Sequence, residues 1–124
     1  MSITGKDFLE YARHINSEAI SFPADTRNLS QAAYRTIINR SYYGAFIYAR
    51  EFLNITDTGI TAHGSVGTAL KNKNRQIGNN LSDLLKHRKD ADYKTHLTFS
   101  ARTSKEAIRL AGKILKYIDD ETST

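Results

Sequence analysis

The residues best equipped for chemistry stand close together in this sequence: His87-Arg88-Lys89-Asp90-Ala91-Asp92-Tyr93, with His96 shortly after. Arg88 is the most informative of them. It follows Leu84 by four residues, Leu81 by seven and Ile77 by eleven, and eleven residues are close to three helical turns. That spacing places Arg88 on the inward, apolar stripe of a helix. A guanidinium there needs a partner, because an unpaired charge away from water is costly. Two partners fit the spacing. Asp92, four residues on, makes an ordinary ion pair along one helix face. A phosphate in a cleft suits the planar donor fork of arginine equally well. Histidine suits general acid–base work near neutral pH, which brings in His87 and His96, and Tyr93 offers a hydroxyl close to Arg88. On a helix His87 points about 100° away from its neighbour Arg88, whereas His96 lies past the helix end and can fold back. Both histidines also read as ordinary surface residues.

Other chemistries find little support. The chain has no cysteine, which removes disulfides, thiolate metal sites and cysteine nucleophiles together and suits a reducing compartment. His14, His63, His87 and His96 are dispersed, without the three-to-five spacing of helical metal sites. No glycine-rich phosphate loop is present, and the serine–histidine combinations are too common to define a triad. No metal and no other cofactor is expected.

The elements that must position Arg88 are helices. A first helix is expected over residues 4–17, capped by Thr4, with Asp7 in its first turn and Phe8, Tyr11, Ala12 and Ile15 on its apolar face. Residues 22–28 read as a connection. A second helix, capped by Ser30, is expected over residues 31–53. Tyr34, Ile37, Ile38, Tyr42, Ala45, Ala49, Phe52 and Leu53 form its main apolar face, and Tyr43, Phe46 and Ile47 extend beyond it. A helix this apolar is covered on more than one side, and its aromatic residues read as core. Residues 54–62 read as a loop, followed by a short helix from His63 or Gly64 to Lys71. The basic run Lys71-Asn72-Lys73-Asn74-Arg75 is either a solvated turn or a loop that contacts phosphates. A helix over 76–90 then carries Ile77, Leu81, Leu84 and Leu85. The last helix, over 103–118, opens on a Thr103–Glu106 capping box and repeats Ala107, Ile108, Ala111, Ile114, Leu115 and Ile118 at helical spacing. The sum is an all-α, antiparallel bundle of four main helices and one short one.

With 124 residues, 40% hydrophobic and 25% charged, the chain reads as one globular domain over 1–124. Eighteen Lys and Arg against thirteen Asp and Glu give a net charge of +5. That balance favours polyanions such as RNA and equally serves plain solubility. The N-terminal residues lack the pattern of a signal peptide, and no apolar run approaches the ~18 residues of a membrane span. A cytoplasmic protein without membrane contact is expected.

Three segments, taken in order, resemble the HEPN domain family. Asn39-Arg40-Ser41-Tyr42-Tyr43-Gly44-Ala45-Phe46 is similar to that family's basic-small-Tyr-Tyr-Ala-Ala-Phe helix. Thr61-Ala62-His63-Gly64-Ser65-Val66 is similar to the His-small-small stretch before its short third helix, and His87 to Tyr93 is similar to the Arg-polar-x-Ala-Asp-Tyr segment of one large branch. The resemblance covers about residues 4–120. It implies an up-and-down four-helix bundle with an additional short helix, a homodimer, and a metal-independent endoribonuclease of a toxin–antitoxin or phage-defence system. The family's active motif is an arginine, four to six residues, then a histidine. Arg88 matches the arginine, but Tyr93 follows after four residues and His96 after seven. The resemblance therefore implies catalysis by Arg88 with Tyr93 or a displaced His96, or else a site that binds without cutting. A two-fold axis would bring two copies of Arg88 to one cleft, where paired guanidiniums stabilise a phosphorane-like transition state. The ribose 2′-hydroxyl would be the nucleophile, which makes RNA the substrate. Arg40, His87, Lys89, Lys71, Lys73 and Arg75 are the candidate RNA contacts. Some relatives pair with a nucleotidyltransferase antitoxin that modifies a tyrosine near the motif, a role that would fall on Tyr93. Two rival readings are a non-catalytic module that holds such a nucleotidyltransferase, a nucleotide or an RNA, and a plain dimerisation scaffold.

Overall fold

The computed structural model describes residues 4–19, 27–94 and 96–123. Within them the chain is all-helical, with no strand: α1 (Gly5–Ala19), α2 (Arg27–Phe52), α3 (Ala62–Lys73), α4 (Arg75–Tyr93) and α5 (Ala101–Thr122).

Each helix has at least one end where side-chain or backbone hydrogen bonds satisfy its terminal groups. Thr4 and Asp7 form a reciprocal cap on α1: the Asp7 amide donates to Thr4 Oγ1 at 3.3 Å, and the Thr4 amide donates to Asp7 Oδ2 at 2.8 Å, which satisfies two otherwise orphaned donors. Two residues past the end of α2, Asn54 adopts φ 57°. The Asn54 and Ile55 amides then return to the carbonyls of Glu51 and Arg50, each at 3.1 Å, closing the helix with a left-handed residue that asparagine tolerates. Between α3 and α4 the connection is Asn74 alone. Its extended backbone donates to Leu70 O, and its side chain accepts from the Ile77 amide, so one residue caps both helices. Gly78 makes this tight turn possible, because a Cβ there would lie 2.6 Å from the Lys71 backbone. The basic run at 71–75 is thus mostly helical, since Asn74 serves both ends.

α4 runs on to Tyr93 and α5 to Thr122, past the ends expected at 90 and 118, and the starts of α2 and α5 differ as well. α2 begins at Arg27, so Ser30 lies inside it; of the expected connection over 22–28, residues up to 26 lie outside the described ones. α5 is capped by Ser100, whose Oγ accepts from the Thr103 amide at 3.2 Å. Glu106, expected to reach back to Thr103, pairs instead with Arg109 one turn on.

α2 is the axis of the molecule and touches each of the other four helices, whereas α3 meets only α2 and α4. One core cluster holds the bundle together, with Ile38, Tyr42, Ala45 and Ala49 from α2, Val66 and Leu70 from α3, Leu81 and Leu84 from α4, and Ala107, Ala111, Ile114 and Ile118 from α5. α1 enters through Leu9, and its Ala12 is buried as well, while Tyr11 of the expected apolar face is exposed. α1 crosses α2 almost backbone to backbone at Gly5 and Gly44: a Cβ on Gly44 would lie 2.8 Å from the Gly5 carbonyl. Among the described residues no helix is long and apolar enough to cross a membrane.

Candidate functional site around Arg88

Arg88 belongs to the buried side of α4, with 7% of its surface exposed. Three tyrosine rings surround its guanidinium, with centroids 5.6 Å (Tyr42), 5.3 Å (Tyr43) and 5.9 Å (Tyr93) away, within the range of cation–π attraction. Nη2 donates to the Tyr43 hydroxyl at 3.2 Å and Nη1 to the Tyr93 hydroxyl at 3.5 Å. The carboxylate expected from the spacing, Asp92, stands 3.5 Å from Nη1. That is long beside the ~2.8 Å of a tight charge-assisted bond. Asp92 also accepts from Asn39 Nδ2 at 3.2 Å, so its charge is shared. The buried Nε has no partner. Arg88 is therefore held by rings and phenols and by one loosely placed carboxylate, with donor capacity left over.

Arg88 is also part of the wall of a cleft of about 550 Å³, lined by Thr58, Gly59, Ile60, His63, Leu85, Arg88, Lys89 and Tyr93. Asp57 shapes the loop wall by accepting from the Gly59 amide at 2.9 Å and from the Thr61 hydroxyl at 2.5 Å. These bonds, Thr61's first, hold its carboxyl below the usual range. On the α3 side His63 stacks on Phe46 with centroids 4.5 Å apart, and its Nδ1 lies 2.5 Å from the Tyr42 hydroxyl. Burial pushes the Tyr42 phenol far above its ordinary value, although the Arg88 charge works against this. Burial lowers the His63 pKa, and repulsion from Arg88 and then Lys89 lowers it further. His63 is consequently neutral at physiological pH. The cleft thus combines a buried cation, an exposed one at Lys89, a neutral imidazole and a phenol at its rim, a set suited to an oxyanion and to proton exchange with it.

The α2 residues that hold this wall share one stripe, four residues apart. Gln31 exchanges two hydrogen bonds with the Phe99 peptide, at 2.7 and 2.8 Å. Arg35 donates to the carbonyls of Ala91 (2.6 Å), Lys94 (3.3 Å) and Leu97 (2.6 Å) and stacks over Phe99. Asn39 holds Asp92, and Tyr43 meets Arg88. The C-terminal end of α4 leaves carbonyls without intrahelical partners, and Arg35 satisfies them with a positive charge at the favourable end of the helix dipole.

Of the residues singled out from sequence, Arg88, Lys89 and Tyr93 meet at this cleft. Tyr93 is 73% exposed, and its hydroxyl still reaches Arg88. His96 is exposed after α4 and does not line the cleft. His87 acts on Glu106 of α5, whose carboxyl its charge helps to lower after the larger effects of Arg109 and Lys113. Arg40 stands over the Phe8 ring at 5.5 Å, in a separate hollow with Asp7 and Tyr11. Lys71, Lys73 and Arg75 occupy the opposite end of the α3–α4 hairpin, about 15 Å from His63 along α3 at 1.5 Å per residue. His63, Tyr42 and Tyr43 were outside the site read from Arg88 alone. Their only sequence signal lay in the two other segments, 39–46 and 61–66, that accompany it. Among the described residues no three His, Asp or Glu side chains stand close enough to share a metal ion. Comparison with protein families, curated proteins and solved structures returns no match.

Proposed function

We propose that this chain is a HEPN-type domain that acts on RNA, receiving a phosphate of the strand at Arg88, and that it works as a metal-independent endoribonuclease in a toxin–antitoxin or phage-defence setting. In this reading α1, α2, α4 and α5 are the four helices of an up-and-down bundle and α3 is the added short one. A homodimer in the cytoplasm presents two Arg88 clefts to the RNA. The observation that supports it best is the state of Arg88: nearly fully buried, with its carboxylate partner no closer than 3.5 Å, on the wall of an open cleft that also carries Lys89. Oriented cationic donors of this kind stabilise charge that develops on a phosphoryl group.

The test compares wild type with Arg88→Ala on unstructured RNA, reading the products for cyclic-phosphate ends. The variant is expected to keep its melting temperature within a few degrees and to lose cleavage by about 100-fold or more. Wild-type protein that leaves RNA intact, both alone and in its native complex, ends the nuclease reading.

One observation favours a second reading. Tyr93 carries an exposed ring beside the motif residues of the resemblance and is accessible to a modifying enzyme. A non-catalytic module that holds a nucleotidyltransferase would present Tyr93 in this way, and its signature is a nucleotide adduct on Tyr93 after co-expression with such an enzyme, seen by mass spectrometry.

A further inference from the structure

The geometry points to His63 as the proton-exchanging residue of the Arg88 cleft, positioned by Tyr42. This rests on the reading of the cleft as a phosphate site and adds to it the residue that handles the proton. Three features of the site carry the assignment. His63 lines the same cleft as Arg88, although it comes from a different helix. Its ring is fixed on two sides, by stacking on Phe46 and by the short contact between Nδ1 and the Tyr42 hydroxyl. Its Nε2 has no hydrogen-bond partner among the described residues, which leaves one ring nitrogen for a ligand. Neither Tyr93, whose hydroxyl is engaged with Arg88, nor His96, outside the cleft, combines these properties.

The contact between Nδ1 and the Tyr42 hydroxyl fits either ring tautomer; in the one that the proposal uses, Nδ1–H donates to the Tyr42 oxygen, and Nε2 carries the lone pair and acts as a base. In RNA cleavage the bond from the 2′-oxygen to phosphorus forms as the bond from phosphorus to the 5′-oxygen breaks. The 2′-hydroxyl proton goes to Nε2, the leaving 5′-oxygen takes a proton from water, and the hydroxide left by that water then takes the proton from the imidazolium; the products are a cyclic phosphate and a free 5′-hydroxyl. The imidazolium formed keeps its Nδ1–H bond to Tyr42, so the ring stays in place. The titratable and charged groups that face His63 are Tyr42 and Tyr43 on α2 and Arg88 and Lys89 on α4. The two cations keep the free imidazole neutral, and an anion bound between them offsets that repulsion. The base must be unprotonated, so cleavage is expected to rise with pH through the His63 titration, which lies below 6.5.

Two measurements on the full chain test the assignment. The first follows the histidine ring signals by NMR as pH is varied, in sulfate and in chloride of equal ionic strength. Sulfate keeps its charge over this range, so a titration midpoint that rises by about one pH unit reports an anion beside the ring. The rise is expected at His63 and lost in Arg88→Gln. The second compares RNA cleavage by wild type and His63→Gln. The variant is expected to be slower by about 100-fold and to lose the acidic limb of the pH profile. A His63 midpoint indifferent to sulfate overturns the proposal without any RNA assay. Cleavage by His63→Gln at the wild-type rate overturns it too and leaves the nuclease reading standing. A sulfate response in a protein that cuts no RNA has the opposite meaning: it ends the nuclease reading and supports His63 as the group that faces the anion.

Discussion

Arg88 is a residue whose surroundings do not repay its burial. Its Nε is unpartnered, its hydrogen bonds to Tyr43 and Tyr93 are 3.2 and 3.5 Å long, and Asp92 is 3.5 Å away. A well-made buried ion pair costs about 3–5 kcal/mol when one partner is removed, because the other charge is stranded. Asp92 would not be stranded here, since Asn39 still donates to it and its side chain is 28% exposed. Arg88→Met is therefore expected to leave unfolding free energy within about 1 kcal/mol of wild type. Urea denaturation checks this, and a loss of 3 kcal/mol or more would make Arg88 a structural residue. The inward position of Arg88 was legible in the sequence because Ile77, Leu81 and Leu84 set the phase of its helix. The position of His63 was not legible, because it depends on where the α3–α4 hairpin folds back, and Asn74 and Gly78 set that through backbone fit that leaves no periodic trace.

At the scale of elements, α2 does more than supply a core face. Its apolar side organises the bundle, and its stripe of Gln31, Arg35, Asn39 and Tyr43 grips the end of α4 and the segment that follows. The apolar side was legible at once, since Ile37, Ile38, Tyr42, Ala45 and Ala49 recur at helical spacing and all are buried. The polar stripe was equally periodic, but polar residues four apart are also what the solvated side of any amphipathic helix shows. Only the tertiary contact distinguishes the two. Arg35 is the centre of the grip, with bonds to three carbonyls around the α4 terminus. Arg35→Met is expected to cost about 2–4 kcal/mol, given that bonds to a charged group contribute roughly 1.5–3 kcal/mol each and that water replaces part of them. Amide hydrogen exchange should accelerate most between residues 90 and 99 while α3 keeps its protection. Uniform acceleration throughout the chain would mean that Arg35 supports the whole fold and not the site wall.

At the scale of the molecule, the question is how a net charge of +5 is distributed with respect to the cleft. Arg88 and Lys89 are at the cleft, whereas Lys71, Lys73 and Arg75 lie at the far end of the same helical hairpin. Lys73 stands over the Phe52 ring at 5.6 Å, so part of that far cluster covers apolar surface. The sequence already set the two basic clusters at opposite ends of the helix expected over 76–90, and α4 keeps them apart by most of its length. Salt dependence distinguishes their roles, because each phosphate neutralised on a single strand contributes about −0.7 to the slope of log K against log salt. A short oligonucleotide confined to the cleft meets two cations, and a slope of about −1.4 is expected. A strand long enough to follow the hairpin meets up to five, and the slope should steepen towards about −3.5. Replacing Lys71, Lys73 and Arg75 with glutamine should return the long strand to the shallow slope while the short one is unaffected, and cleavage of the short strand should continue at the wild-type rate. A slope for the long strand that ignores these three substitutions would confine recognition to the cleft and make the basic turn a solvated end of the hairpin.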